Sequence, residues 1–267
     1  MPIDPLHTWE AVEAIRAKAP VVHSITNYVV MNNTANALLA LGASPVMAHA
    51  REEMTEMVGI ASALVINIGT LSEKWIESMH AAAEAANARR IPIILDPVGA
   101  GATSYRTGTV RELLKGARPT ILRGNASEIM ATCGDLAQTK GVDSTEASHD
   151  ALAAAHSLGK SYGATVSISG ETDYIVGGGR TIRIHNGHAM MPRVTGLGCT
   201  ATALTGAFAA VTPDPVLAAA QAMAVMGIAG EMAAEKAEGP GTLQLHFIDA
   251  LYRMTADDVQ HRIRVEA

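Results

Sequence analysis

Cysteine is nearly absent from this chain, with Cys133 and Cys199 the only two in 267 residues. So few thiols, so far apart, exclude a disulfide framework and a zinc site built on paired cysteines. Aromatic residues make up only 3% against a hydrophobic fraction of 48%. The core must therefore be built from Ala, Val, Ile, Leu and Met, a composition that suits close packing of helices on a sheet. Positive charge is also short: 20 Lys and Arg against 26 Asp and Glu give a net charge of -6. Without a basic stripe, the chain is not read as a nucleic-acid or acidic-membrane binder, and an anionic ligand would have to be held by local groups. The opening residues carry Asp4, Glu10 and Glu13 where a secretory leader needs an uninterrupted apolar run, so a cytoplasmic location is expected. The most apolar late stretch, residues 217–234, includes Gln221 and Glu231 among alanines and glycines and reads as a core helix rather than a membrane span.

What is present is an alternation. Short apolar runs at Val21-Val22, Pro45-Val46-Met47, residues 64–68, Ile93-Ile94-Leu95, Thr120-Ile121-Leu122 and residues 165–169 are separated by helical stretches. That rhythm predicts βαβ units and a mainly parallel sheet in an α/β domain. Thr8 is expected to cap a first helix and Ser72 another that reaches about Arg89. A helix over 147–162 should end at Gly163. Residues 173–176 and 180–185, joined by Gly177-Gly178-Gly179, predict an antiparallel hairpin at the sheet edge. After Cys199 the chain reads as almost wholly helical. No internal repeat or linker appears, and residues 1–267 are read as one domain.

Ligands collect at the carboxyl ends of parallel strands, and the polar and glycine-rich residues fall there: Ser24-Ile25-Thr26-Asn27, Asn67-Ile68-Gly69-Thr70, the run from Asp96 to Gly101, Arg123-Gly124-Asn125 and Ser169-Gly170-Glu171. Gly196-Leu197-Gly198-Cys199 opens a long small-residue helix. Free N–H groups and the positive end of the helix dipole favour an anion there, and the same field would lower a thiol pKa, leaving Cys199 partly thiolate at neutral pH. A glycine turn holding a buried cysteine is the plainer alternative. Asp96 suits a magnesium-associated or phosphate-facing role, or else satisfies its own turn. Arg123 could grip a phosphate and Glu128 a metal-bound water, although Asn125 and Glu128 also have the spacing of a capping box. Ser169 could receive a nucleotide phosphate. Met47 suits an apolar pocket or plain core packing. His185 and His188 read as solvent-facing or capping residues rather than metal ligands.

In order and spacing, these segments together with residues 40–47 closely resemble hydroxyethylthiazole kinase, a member of the ribokinase-like kinases, over about residues 20–250. The resemblance implies a three-layer ribokinase-like fold and ATP-dependent, Mg2+-assisted phosphorylation of the hydroxyl of 5-(2-hydroxyethyl)-4-methylthiazole. It further implies that Asn27, Met47 and Gly196 meet the thiazole alcohol, that Arg123, Ser169 and Gly198 serve ATP, and that Asp96 and Glu128 organise magnesium. Cys199 would be the catalytic residue that orients the hydroxyl and accepts its proton late. A homotrimer with active sites between subunits is implied as well. Leu197 and Ser169 stand where threonine is frequent in the family. A covalent thiol hydrolase with Cys199 as nucleophile, a silent sensor, and kinases of hydroxymethylpyrimidine or pyridoxal are the competing readings.

Overall fold

Runs of aliphatic residues buried on both faces form the centre of a nine-stranded sheet in the computed structural model, which describes residues 3–134 and 144–267 and leaves the side chains of 144–149 aside. The strands are β1 (Val21–Ile25), β2 (Ser44–Val46), β3 (Ala63–Asn67), β4 (Ile93–Asp96), β5 (Ile121–Asn125), β6 (Thr165–Ser169), β7 (Asp173–Gly177), β8 (Arg180–Ile184) and β9 (Val265–Glu266). Their spatial order is β2-β1-β3-β4-β5-β6-β7-β8-β9. From β2 to β6 every pairing is parallel, and from β6 to β9 every pairing is antiparallel. Pro45, which cannot donate to a ladder, is tolerated in β2 because that strand lies at the edge.

The helices are α1 (Pro5–Lys18), α2 (Met31–Leu41), α3 (Met54–Ile60), α4 (Glu73–Arg89), α5 (Ser104–Ala117), α6 (Ala126–Cys133), α7 (Ser144–Tyr162), α8 (Leu197–Val211), α9 (Pro215–Ala234), α10 (Pro240–Arg253) and α11 (Ala256–Arg262). Alternation along the strands divides the core in two. Ala63 and Val65 of β3 and Ile94 of β4 join one cluster with α1, α2, α8, α9 and α10. Leu64, Ile66, Ile93 and Leu95 point the other way, into a cluster with α3 to α7. Two helical layers around one sheet give the three-layer α/β arrangement that the resemblance implies, with the parallel sheet expected from the strand and helix rhythm. The long apolar helix α9 is 89% buried over its most apolar window, as a core helix should be.

One local expectation changes. Thr8 does not cap α1: Asp4 precedes Pro5, and its carboxylate accepts from His7 N at 2.9 Å, while Thr8 lies one turn inside. An aspartate before a proline at the first helical position is the better start signal. After Cys199 the chain is almost wholly helical as expected, with one short addition: β9 pairs with β8 through Arg183 with Glu266 and Ile184 with Val265. A two-residue strand has no period to reveal it. Ser72 caps α4 as expected, accepting from Trp75 N, and Gly163 follows α7 at φ 70°.

The strand order reverses between β1 and β3, since β2 lies on the far side of β1. A crevice opens outside the carboxyl ends of the strands at such a switch point.

Candidate active site

A cleft of about 370 Å³ occupies that crevice, lined by Asn27, Gly69, Asp96, Arg123, Glu128, Ser169, Gly196, Gly198 and Cys199 among others. Of the nine residues assigned roles by the resemblance, eight line this one cleft. They come from the ends of four parallel strands, from the start of α6 and from the first turn of α8, which explains why residues so distant in sequence converge.

Asp96 ends β4 and is 1% exposed. Its Oδ2 accepts from Asn67 Nδ2 and from Thr202 Oγ1, each at 2.7 Å. Among the described residues Oδ1 has no partner, so one oxygen of a buried carboxylate remains open. Burial pushes this carboxyl up to about 6 and Glu128 adds to the rise, while Arg123, Thr202 and Asn67 pull it down. It is still mostly ionised at neutral pH.

Asn67 ends β3, in register with Asp96. Its Oδ1 accepts from Asn27 Nδ2 at 2.8 Å and from the Gly69 N–H at 2.9 Å. Asn27 Nδ2 also reaches Cys199 Sγ at 3.5 Å. Gly69 has no substitute here, because a Cβ would stand 2.7 Å from Asn27 Cγ. Asn67 and Thr202 were not assigned roles from the sequence. Thr202 lies three residues after Cys199 on α8, a helical spacing that puts both on one face, and that spacing was the available signal.

Arg123, in β5, is 6% exposed, donates from Nη1 to the Gly198 carbonyl at 2.9 Å, and keeps a buried Nε without a partner among the described residues. A buried guanidinium with an unused donor fits an anion. The start of α8 fits one too. Gly196 caps it at φ 86°, in the left-handed region, with no side chain satisfying the first N–H groups, and a Cβ there would stand 2.6 Å from Val30 Cγ1. Orphan N–H groups at an open helix start are an anion seat.

Glu128 reads both ways at once. Its Oε2 accepts from Asn125 N and its Oε1 from Gly99 N, at 2.9 and 2.8 Å, so the capping box is real, and the carboxylate still lines the cleft. Ser169, half-buried, sits in a turn held by Asp173, a further residue the sequence reading left out, whose carboxylate accepts from Gly170 N at 3.0 Å. Burial pushes Asp173 up to about 6.

Cys199 corrects one expectation. Burial and the neighbouring Asp96 push its thiol up to about 11, outweighing the hydrogen bonds from Asn67 and Asn27 and the charge of Arg123. It is a thiol at neutral pH rather than partly a thiolate. With no histidine lining the cleft among the described residues, the thiol-hydrolase alternative lacks both a base and an activated sulfur. Cys133, on α6, is buried core.

Met47 does not line the cleft within one chain. It follows β2, packs half-buried against the core, and its carbonyl lies 3.5 Å from His49 Nδ1. His49 stacks with Trp75 at 4.8 Å, and Trp75 with Tyr28 at 4.9 Å, forming an aromatic group beside the cleft mouth. His185 bonds Thr172 Oγ1 and His188 accepts from Met190 N. No cluster of three metal-ligating residues occurs among the described residues.

Relatives support the picture drawn from geometry. A protein of Syntrophus aciditrophicus named hydroxyethylthiazole kinase is 65% identical over 268 residues, covering 100% of this chain and 99% of the relative. The solved structure of a hydroxyethylthiazole kinase protein from Pyrococcus horikoshii OT3 superposes with a TM-score of 0.90 at 44% identity, over 98% of each chain. A pyridoxal kinase from Staphylococcus aureus in complex with AMP-PCP and pyridoxal shares the fold at a TM-score of 0.64 and 17% identity, over 92% of this chain and 98% of that one. The fold is thus ribokinase-like, and the chain is a kinase. With the hydroxyethylthiazole kinase family model matching residues 12–257, the chain belongs to that family.

Proposed function

We propose that this kinase transfers the terminal phosphoryl group of ATP to the hydroxyl of 5-(2-hydroxyethyl)-4-methylthiazole, giving the thiazole phosphate used in thiamine salvage. The observation that carries this reading is the meeting, in one cleft, of an open helix start, a buried Arg123 with a spare donor and a buried carboxylate with a free oxygen. Such a constellation neutralises the charge of a transferring phosphoryl group.

Arg123, Ser169 and the amides at Gly198 are the groups that would hold the nucleotide phosphates, with Gly196 and Asn27 facing the alcohol. Asp96 Oδ1 and Glu128 fit Mg2+, which takes oxygen ligands and keeps several waters, so two carboxylates and the phosphates suffice. When bound, the ion would supply positive charge to offset that of the phosphates. The alcohol oxygen attacks the terminal phosphorus while the bond to the bridging oxygen of the departing diphosphate breaks. Because such transition states are loose, with little bond formation to the nucleophile, orienting the hydroxyl matters more than a strong base. A Cys199 thiol held in place by Asn27 suits orientation, with the sulfur accepting the hydroxyl hydrogen bond.

The same reading extends to assembly. A homotrimer whose active sites lie between subunits would cover Tyr28 and Val29, which stand 65% and 62% exposed beside the cleft, and would let Met47 reach the alcohol from across the interface. Residues 1–267 would act there as one catalytic domain. The substrate assignment is tested by incubating the protein with ATP, Mg2+ and a panel of heterocyclic alcohols and weighing the products. Phosphorylation of the hydroxyethylthiazole ahead of hydroxymethylpyrimidine and pyridoxal is expected, and a preference for either of those would overturn the assignment.

A further inference from the structure

Between the carboxylate side of the cleft and the thiol side stands a single amide. Asn67 donates from Nδ2 to Asp96 Oδ2 at 2.7 Å and accepts at Oδ1 from Asn27 Nδ2 at 2.8 Å, and that same Asn27 nitrogen reaches Cys199 Sγ at 3.5 Å. The side chains of Asn27, Asn67 and Asp96 are all under 5% exposed, so water does not compete for these bonds.

The direction of this chain of bonds is fixed by the backbone. The Gly69 N–H, 2.9 Å from Asn67 Oδ1, is only ever a donor, so the atom it meets must be the amide oxygen. The Asn67 nitrogen is thereby turned to Asp96, and Asn27 must present its own nitrogen to Asn67 and, with it, to the sulfur. Rotating Asn67 would set donor against donor at Gly69, and rotating Asn27 would set acceptor against acceptor at Asn67. Thr202 holds Asp96 Oδ2 from the other side without touching Asn27, which makes it a natural comparison.

We infer that Asn67 is a positioning residue that locks the phosphate-side carboxylate and the alcohol-side pair, Asn27 and Cys199, into one fixed geometry. It touches neither substrate in this reading and acts through its two neighbours. The inference rests on the assignment of Asn27 to the alcohol side of the site.

The test separates the two ends of the amide. Three variants of the full-length chain, Asn67→Ala, Asn67→Asp and Thr202→Val, are compared with the parent for kcat, for KM, and for binding of the hydroxyethylthiazole by calorimetry without nucleotide or metal, all at pH 8.5. Asn67→Ala loses both ends, and its turnover is expected to fall about 100-fold with alcohol binding weakened about tenfold. Asn67→Asp keeps an oxygen toward Gly69 and Asn27 but sets a negative charge against Asp96, so binding should stay within about threefold while kcat falls about 100-fold. Thr202→Val should lower kcat by about tenfold and leave alcohol binding unchanged. Melting temperatures confirm that each variant is folded, and the Asp and Val variants keep the test open if the Ala variant is not. Folded Asn67 variants with the parent's kcat and binding would overturn the positioning role. So would an Asn67→Asp protein in which binding and turnover are lost together, since that pattern marks a residue needed only for its turn. A parent protein that neither binds nor phosphorylates the thiazole defeats the substrate assignment instead, a result recognisable before any variant is made.

Discussion

The parallel half of the sheet and its antiparallel edge both carry polar side chains, yet among the described residues the parallel half alone gathers them around a cleft. From β1 to β6 the strands run the same way, so the residues that end them share one edge of the sheet: Asn27, Asn67, Asp96, Arg123 and Ser169 meet around a single cleft. From β7 to β9 direction alternates, and the polar groups are dispersed. Arg180 pairs with Asp214 and Arg183 with Glu266, each on the surface. The difference is one of burial as well as direction. Asn27, Asn67 and Asp96 of the parallel half are buried and hydrogen-bonded to each other, a condition under which each is expensive to disturb, while the ion pairs of the edge exchange their partners for water at little cost.

The largest expected effect falls on the buried side of that contrast. Asp96→Asn should reduce kcat about 1000-fold, as loss of charge compensation in a dry site does, and should at the same time stabilise the fold. Asp96 titrates near 6 in the folded chain against 3.8 for the free side chain. The folded state therefore holds this proton more tightly, and the ionised form costs stability above about pH 6, on the order of 3 kcal/mol. That cost is relieved as pH falls from about 6 towards 3.8. Thermal melts of the protein without nucleotide or metal should show Asp96→Asn melting higher than the parent at pH 8, with the gap shrinking to about a third by pH 4.5. A gap that widens on acidification would reverse the sign of the account.

Next in size is Arg123→Lys. A lysine retains charge but loses the fork that reaches Gly198 while keeping a spare donor, so kcat/KM for ATP should fall about 30-fold with alcohol binding little changed, a split that steady-state kinetics reads directly. Cys199→Ala should lower kcat by about tenfold, and Cys199→Asp should retain or improve it, because an orienting acceptor with a lower proton affinity than this thiol can replace it. Complete loss of turnover in Cys199→Asp would contradict the orienting role. At the antiparallel edge, Arg180→Ala removes an ion pair whose side chains are 41% and 33% exposed. Stability should drop by less than about 1 kcal/mol and kcat should not change. A large kinetic effect there would break the comparison.

Much of this contrast was legible in the chain before folding. The β6 run, residues 165–169, is the strand itself, because five aliphatic and hydroxyl residues bounded by Gly163 and Gly170 leave few alternatives. The carboxyl-end polar clusters were legible because parallel strands place their last residues together. The partners within the cleft were not. Asn67 meets Asp96 only through the pairing of β3 with β4, and Thr202 meets it only because α8 packs across the sheet, contacts set by tertiary packing rather than by spacing. The thiol was misjudged for a related reason. A helix start is visible in sequence, but the burial and the Asp96 charge that push Cys199 up to about 11 belong to other segments. Met47 lies outside the cleft.

The central claim is that a small alcohol and the terminal phosphate of a nucleotide meet in front of the first turn of α8. A crystal structure with the hydroxyethylthiazole and a non-hydrolysable ATP analogue bound together tests it most directly. The account predicts the hydroxyl between Cys199 and Asn27, with the terminal phosphate against the Gly198 amide and Arg123. Either ligand bound on the antiparallel side of the sheet, or the phosphate turned away from α8, would contradict it.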